Sequence, residues 1–190
     1  MQQAAHPPEN IVLIGFMGCG KSTVGRELQK LLSYPLVDMD AMIEERAGKP
    51  ITRIFAEDGE AAFRDMESEL LSELEQAVGT GRIIASGGGV VARLENRACL
   101  QRLGFVVWLS APVPVILRRT RNNGERPLLL TEDPHGRVKS LLAEREPWYR
   151  QCANLKVDTV GLNSREIACG ILESARYYFT GHPKPPCNEP

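Results

Sequence analysis

The sequence contains few of the residues that build metal sites, disulfide frameworks or membrane spans. Its 190 residues include three histidines, far apart along the chain, and five cysteines without a CxxC pair, so neither a bound metal nor a disulfide framework is predicted from them. No run approaches the roughly 20 apolar residues that a membrane-spanning helix requires. The first ten residues lack the charged and apolar regions of a secretion signal. We therefore expect a cytoplasmic protein with reduced thiols.

A strong net charge is also absent. The 23 lysines and arginines nearly balance the 24 aspartates and glutamates, which gives a formal net charge of -1. A chain without a general positive field has no long-range attraction to nucleic acid or to anionic membranes. We therefore expect neither of these as a partner, and any functional positive charge should be confined to a local site.

Short apolar runs rich in branched residues alternate with longer helical stretches along the chain. This order is typical of an α/β fold, in which helices cover both faces of a parallel sheet. The runs that we predict as strands cover residues 11–14, 36–37, 82–86, 105–109 and 155–158. The clearest helical pattern covers residues 60–78, before Gly79.

The composition predicts a single domain over residues 10–179. The two ends, residues 1–9 and 180–190, are dominated by proline and polar side chains. Such segments cannot bury enough apolar surface to offset the entropy of ordering, so we expect them to be disordered tails.

The stretch GFMGCGKSTVGRELQKLL, residues 15–32, directly follows the first predicted strand. Its spacing matches the phosphate-loop pattern G-x-x-x-x-G-K-[ST], between a strand and a helix as that motif requires. In such a loop the backbone N–H groups hold phosphates, the lysine reaches the terminal phosphates and the hydroxyl binds Mg²⁺. The alternative is a glycine-rich turn that matches by chance. The predicted nucleotide-binding residues are Gly18, Cys19, Gly20, Lys21, Ser22 and Thr23.

Two carboxylates, Asp38 and Asp40, follow the second predicted strand. Residues two apart in an extended segment point the same way, so both side chains should face one crevice at the carboxyl edge of the sheet. One would then serve Mg²⁺ and the other a substrate hydroxyl. The alternative is that one of them caps a helix over residues 41–47.

Two arginines have competing interpretations. Arg64 precedes Glu67 by three residues, which indicates an exposed ion pair on a helix. Arg145 occupies an inward position in the apolar pattern of residues 138–149, so its guanidinium should face the interior and bind an anionic ligand in a cleft. An internal pair with a nearby glutamate is the alternative for Arg145.

Two further segments lack regular patterns. The glycines at 87–89 follow the third predicted strand, where they would let a ligand approach the backbone closely or simply form a tight turn. Four arginines and a glycine lie between residues 118 and 127. We predict a lid over about residues 120–134 that brings an arginine to a transferred phosphoryl group, the alternative being a solvated basic loop.

Taken in order, these motifs resemble those of the shikimate kinases, from about residue 10 to residue 176. The matching segments are GFMGCGKSTVGRELQKLL, VDMD, FRDMESELL, ASGGGVV, RTRNNGERPLLL and AEREPWYRQCA. The resemblance implies a P-loop, three-layer α/β/α fold of the nucleoside monophosphate kinase type, with a five-stranded parallel sheet of order 2-3-1-4-5. It also implies a monomer that transfers the γ-phosphoryl group of ATP to the 3-hydroxyl of shikimate, with Mg²⁺, on the way to chorismate and the aromatic amino acids.

The resemblance implies roles for single residues at the nucleotide end. Lys21 resembles the phosphate-loop lysine, Ser22 the direct Mg²⁺ ligand, and Asp38 a carboxylate that binds Mg²⁺ through water. Arg119 resembles the arginine stacked on adenine. Arg126 resembles the lid arginine that touches the phosphates.

At the acceptor end, Asp40 resembles the residue that holds the acceptor hydroxyl and is the candidate general base. Arg64 and Arg145 resemble the pair that clamps the shikimate carboxylate. Gly87, Gly88 and Gly89 resemble the glycines that contact the substituents of the ring.

The chain departs from the family pattern at three places. The loop at 159–164 lacks the arginine and proline of some members, so no base contact is predicted there. Trp148 stands where leucine is common. Cys19 lies in the phosphate loop at a helix N-terminus, where we expect a reactive thiol whose modification inhibits and ATP protects.

Two other functions stay open on sequence alone. A gluconate-type small-molecule kinase would share the fold and the early motifs. A non-catalytic ATP-sensing module would bind nucleotide without transferring phosphate.

Overall fold

Five short parallel strands form the centre of the fold, and their order in the sheet is β2-β3-β1-β4-β5. The computed structural model describes residues 10–77, 81–121 and 132–180. The strand order implied by the family resemblance is therefore confirmed, as is the α/β class. The strands are β1 (Ile11–Ile14), β2 (Leu36–Asp38), β3 (Ile83–Ala85), β4 (Phe105–Ser110) and β5 (Leu155–Asp158).

Helices cover both faces of this sheet. Alternate residues of β1 enter different clusters: Val12 and Ile14 pack with one set of helices, whereas Ile11 and Leu13 pack with another. All four residues are buried, which explains the continuous apolar run of this strand. The helices are α1 (Lys21–Leu32), α2 (Met39–Ala47), α3 (Ile51–Glu57), α4 (Gly59–Gln76), α5 (Leu94–Leu103), α6 (Val113–Thr120), α7 (Pro134–Cys152) and α8 (Ser164–Phe179).

The helices divide between the two faces. α1 and α8 pack on the face of Ile11 and Leu13, and α2, α4, α5 and α7 pack on the other face. The helix predicted at 60–78 corresponds to α4, whose buried residues include Phe63, Leu70 and Leu71. The buried face of α4 also carries two charged residues, Arg64 and Glu67, which the apolar pattern did not reveal.

The predicted site residues follow the carboxyl ends of three neighbouring strands, at one edge of the sheet. β1 ends at the phosphate loop, β2 ends at Asp38, and β3 leads into the glycines at 87–89. Because β2, β3 and β1 are adjacent and parallel, their carboxyl ends lie side by side, which is where open α/β sheets bind ligands.

The predicted tails largely fall outside the described residues, as do residues 78–80. Within the described ranges, no helix combines the length and the apolar character needed to cross a bilayer.

Candidate active site

The phosphate loop owes its shape to glycines. Gly15, Gly18 and Gly20 have φ angles of 137°, 75° and 103°, which side-chain-bearing residues rarely adopt. A Cβ atom at Gly15 would overlap the carbonyl oxygen of Leu109, and one at Gly18 would lie 2.8 Å from Thr120 Cγ2. The loop is therefore pressed against β4 and α6, with no room for side chains at these two positions.

Lys21 lies folded over this loop. Its Nζ donates hydrogen bonds to the carbonyl oxygens of Gly15 (2.8 Å) and Phe16 (3.1 Å). Lys21 is also the first residue of α1, whose N-cap, Gly20, provides no side-chain capping bond. The first N–H groups of α1 are thus left for an anion, next to a lysine ammonium.

Ser22 links the start of α1 to the end of β2. Its hydroxyl donates a hydrogen bond to Asp38 Oδ2 over 2.8 Å. A hydroxyl and a carboxylate are hard oxygen ligands of the kind that Mg²⁺ prefers. Among the described residues there is no group of three or more His, Cys, Asp or Glu side chains that could hold a metal ion. A cation here would need most of its ligands from phosphates and water.

The predicted geometry of Asp38 and Asp40 is wrong, because they do not share an extended segment. Asp38 ends β2 and is the N-cap of α2, with a long contact of 3.5 Å from the N–H of Ala41 to its Oδ1. Asp40 already lies in the first turn of α2, which begins two residues earlier than expected. The capping alternative is therefore correct for Asp38, in addition to its bond from Ser22.

Asp40 nevertheless lies at the glycine turn. A Cβ atom at Gly87 would be 2.8 Å from Asp40 Oδ1 and would overlap Glu67 Oε1. Glycine at this position thus permits the backbone to lie against both carboxylates. Gly89 has the same effect on the other side of the turn, where a Cβ atom would overlap the guanidinium of Arg64. The turn is more than a simple tight turn, since it is packed against a charged cluster.

Arg64 is buried, with 8% of its surface exposed. It donates to Glu67 (2.5 Å) and to Glu60 (2.9 Å). The predicted i, i+3 ion pair is present, but the expectation that it is exposed is wrong. Burial disfavours the charge of Arg64, whereas Glu67 and Glu60 favour it strongly enough to raise the pKa of the guanidinium.

Glu67 is a site residue that the sequence interpretation missed. It has no exposed surface; one oxygen accepts from Arg64, while Oε1 has no hydrogen-bond partner among the described residues. Burial raises the pKa of Glu67, and Arg64 opposes this effect. Its position, four residues after Phe63 and three before Leu70, lies on the apolar stripe of α4, which could have indicated its burial.

Arg145 faces inward, as its position in the apolar pattern predicts. It is 5% exposed and donates from a terminal nitrogen to the carbonyl oxygen of Gly88 (3.1 Å). Its guanidinium lies 5.7 Å from the centre of the Phe16 ring. Pro147 lies inside α7 without ending it.

The alternative of an internal pair with a glutamate is not supported for Arg145. No carboxylate of the described residues lies within 4 Å of its guanidinium nitrogens, and its Nε has no partner there. Trp148, which stands where leucine is common in the family, contacts Arg97. The guanidinium of Arg97 lies 5.4 Å from the centre of the Trp148 ring.

A cavity of about 490 Å³ lies beyond the phosphate loop. Arg119 is fixed at its wall, because it donates to the carbonyl oxygen of Gly18 (3.2 Å) and to the hydroxyl and carbonyl oxygens of Thr159 (3.0 and 3.1 Å). Thr23, Thr159 and Leu162 also line the cavity. The loop at 159–164, for which no contact was predicted, thus contributes to this wall.

The prediction of a reactive Cys19 is not supported by its burial, whereas the prediction for Arg126 is not tested. Cys19 is completely buried, which argues against the predicted reactive thiol, since a reagent cannot reach the sulfur in the folded protein. Arg126 and most of the predicted lid fall within residues 122–131, outside the described residues.

Comparison with known proteins decides the family. The family model for shikimate kinase matches residues 17–176. The chain belongs to the shikimate kinase family. A shikimate kinase from Halorhodospira halophila is 48% identical over 170 residues, which cover 88% of this chain and 93% of the relative.

Solved structures agree with this family. A shikimate kinase from Acinetobacter baumannii, in complex with shikimate, matches with a TM-score of 0.86 and 38% identity, over 92% of this chain and 97% of that one. A gluconokinase from Sinorhizobium meliloti matches with a TM-score of 0.58 and 20% identity, over 93% of this chain and 99% of that one. The second likeness concerns the fold alone.

Proposed function

We propose that this protein transfers the γ-phosphoryl group of ATP to the 3-hydroxyl of shikimate and so forms shikimate 3-phosphate for chorismate and aromatic amino-acid synthesis. The observation that carries this proposal is the meeting of two buried arginines, Arg64 and Arg145, at a glycine turn that also contacts Asp40. Membership of the shikimate kinase family supports the same substrate.

The acceptor end fits a carboxylated molecule. The guanidinium of Arg145 is buried and, among the described residues, lacks a carboxylate partner, so a bound carboxylate would complete its hydrogen bonds. A planar guanidinium fork matches a carboxylate in shape and charge. We propose that Arg64 and Arg145 hold this group, while Gly87, Gly88 and Gly89 allow the ring to approach the backbone.

Asp40 is proposed to accept the proton of the attacking hydroxyl. Its carboxylate lies beside the same glycine turn, so an acceptor anchored by the two arginines would present a neighbouring hydroxyl to it. The geometry required of a general base is hydrogen-bond reach of the proton that it removes. Its position in the first turn of α2 fixes the carboxylate on a regular element.

The nucleotide end fits a triphosphate. Lys21 and the loop from Gly18 to Thr23 are proposed to bind the phosphates, because the loop N–H groups and the ammonium converge there. Arg119, held at the cavity wall by hydrogen bonds to Gly18 and Thr159, is proposed to stack on the base. Arg126 is proposed to bind the phosphates, from a segment outside the described residues.

Mg²⁺ is proposed as the cofactor. Ser22 would bind it directly and Asp38 through water, which agrees with the 2.8 Å contact between their oxygens. Bound with ATP, the cation would neutralise charge on the phosphates. We propose a monomer, as the family resemblance implies. The four cysteines of the described part are free thiols, which supports the cytoplasm as location.

ADP release with Mg²⁺-ATP tests this function. Shikimate, gluconate, a nucleoside monophosphate and no acceptor are compared at equal concentrations. The proposal predicts turnover with shikimate alone. Turnover with gluconate would favour the other small-molecule kinase, and ATP binding without any acceptor-dependent ADP would favour the sensing module.

A further inference from the structure

Glu67 is a fully buried carboxylate at the centre of a crowded charge cluster. Its Oε2 accepts from Arg64 at 2.5 Å. A Cβ atom added at Gly87 would overlap Oε1 of Glu67 and would lie 2.8 Å from Asp40 Oδ1. An ionised carboxylate is costly to bury unless its oxygens have partners, and among the described residues Oε1 has none.

Within the described ranges, the charges around Glu67 come from three helices. The pKa of its carboxyl is raised, first by burial and further by Asp40, while Arg64 and Arg145 oppose the increase. Of the other helices packed on α4, α5 places a thiol against Leu71 O rather than against Glu67, and α3 carries Arg53 and Glu57, which pair with each other. The groups that face the carboxylate are Arg64 and, through it, Glu60 on α4, Asp40 on α2, and Arg145 and the phenol of Tyr149 on α7.

An acceptor carboxylate would change this balance. Among the described residues, Arg64 and Arg145 are the cations that favour the ionised form of Glu67, and a bound carboxylate would share both of them. It would also add a further negative charge to a cluster that already holds Asp40 and Glu60. The ionised form of Glu67 then becomes less stable than in the free protein.

We propose that Glu67 takes up a proton from solvent when Arg64 and Arg145 bind the carboxylate of the acceptor. The proton adds to Oε1, the oxygen that has no hydrogen-bond partner in the described part of the chain, and no other covalent bond changes. Glu67 is then a positioning residue: it holds Arg64 as an ion-pair partner in the free protein and becomes neutral when the substrate replaces it. This inference rests on the proposed function.

Proton uptake makes acceptor binding weaker as pH rises. The pKa of Glu67 is higher in the complex than in the free protein. Binding therefore takes up a proton at pH values between these two pKa values. Across that window the affinity for shikimate falls with increasing pH, by at most about tenfold per pH unit for one proton. Below the lower value the effect vanishes because Glu67 is already protonated.

Isothermal titration calorimetry counts this proton. Shikimate is titrated into the protein at several pH values, in phosphate and in Tris, whose ionisation enthalpies differ. The difference in heat gives the number of protons taken up per complex. We expect uptake of up to one proton in the wild type and none in Glu67→Gln, with a flatter pH dependence of affinity in the variant.

Glu60→Gln is the matched control. Glu60 is the other carboxylate paired with Arg64, but its side chain is 52% exposed. This variant also removes an ion pair of Arg64 and should weaken binding, yet it should keep the proton uptake. Loss of uptake in both variants, or in neither, would overturn the assignment to Glu67, as would binding to the wild type without uptake at any pH.

Carbon-13 NMR of glutamate-labelled wild-type protein gives a second measurement, which does not require Glu67→Gln to fold. One glutamate carboxyl signal should move to its protonated position when shikimate is added, and unchanged glutamate signals would overturn the inference. Absence of both shikimate binding and ADP release in the wild type would overturn the proposed function, and this inference with it.

Discussion

Arg64 of α4 and Arg145 of α7 meet at the same glycine turn. Arg145 donates to Gly88 O at 3.1 Å, and the guanidinium of Arg64 fills the space where Gly89 would carry a side chain. Two buried guanidinium groups on one turn repel each other unless anions lie between them. Glu67 provides one such anion for Arg64, and we propose that the acceptor carboxylate provides another.

Replacing Arg145 by alanine should damage acceptor binding selectively. Loss of a buried guanidinium that pairs with a carboxylate is expected to lower kcat/KM for shikimate by about 100-fold or more. The KM for ATP should change less, because Arg145 donates to Gly88 and touches the phosphate loop only at the ring of Phe16. Arg150→Ala is the control, since Arg150 is exposed on the same helix and pairs with Glu146. Equal losses for both substrates would contradict the assignment.

Lys21→Ala should have the complementary effect. The ammonium lies over the phosphate loop, so its removal is expected to abolish most phosphoryl transfer with any acceptor. Shikimate binding, measured by calorimetry without nucleotide, should be nearly unchanged. A variant that retains wild-type kcat would exclude the proposed role of this lysine.

Gly87→Ala should disrupt the site although it adds only one methyl group. The new Cβ atom would overlap Glu67 Oε1 and press on Asp40, so we expect a lower melting temperature and a large loss of activity. Gly170→Ala is the control: nothing lies within 4 Å of its added Cβ atom, and alanine inside α8 should stabilise the protein by up to about 1 kcal/mol. A Gly87→Ala enzyme with normal stability and KM would contradict the packing.

Thiol labelling tests the burial of Cys19. In a Cys169→Ser, Cys187→Ser background, native protein should react slowly, because Cys19, Cys99 and Cys152 are buried. Burial also raises the pKa of Cys99 to about 12 and that of Cys152 to about 11, so little thiolate is present at neutral pH.

Denaturant should expose all three thiols at once. Their labelling rate should therefore follow the free energy of unfolding, with or without ATP. Rapid labelling of Cys19 in the native protein, blocked by ATP, would instead restore the original prediction of a reactive thiol.

The sequence predicts the local parts of the site well. The phosphate loop depends on glycines and Lys21 within eight consecutive residues, so its shape follows from the motif. Strand order followed from the family resemblance. The inward position of Arg145 could be predicted because helical periodicity depends only on residues close in the sequence.

The parts that were wrong or missed have two causes, a local cap at Asp38 and the distant packing around Arg64 and Glu67. Met39 is apolar and could have continued β2, but Asp38 caps α2 and starts the helix there, which places Asp40 on a helical turn. The burial of the Arg64–Glu67 pair depends on the glycine turn after β3, which packs against α4 only in the folded chain. The apolar pattern of α4 can indicate that Glu67 is buried, but it cannot show that Arg64 is buried with it.

Acceptor-dependent ADP release with Mg²⁺-ATP and shikimate, followed by NMR of the product, shows whether the protein phosphorylates the 3-hydroxyl of shikimate. We expect one ADP per shikimate consumed and a phosphoryl group on the 3-hydroxyl. ADP release that does not depend on shikimate, or a phosphoryl group at another position, would contradict the placement of Asp40 and the two arginines around the acceptor.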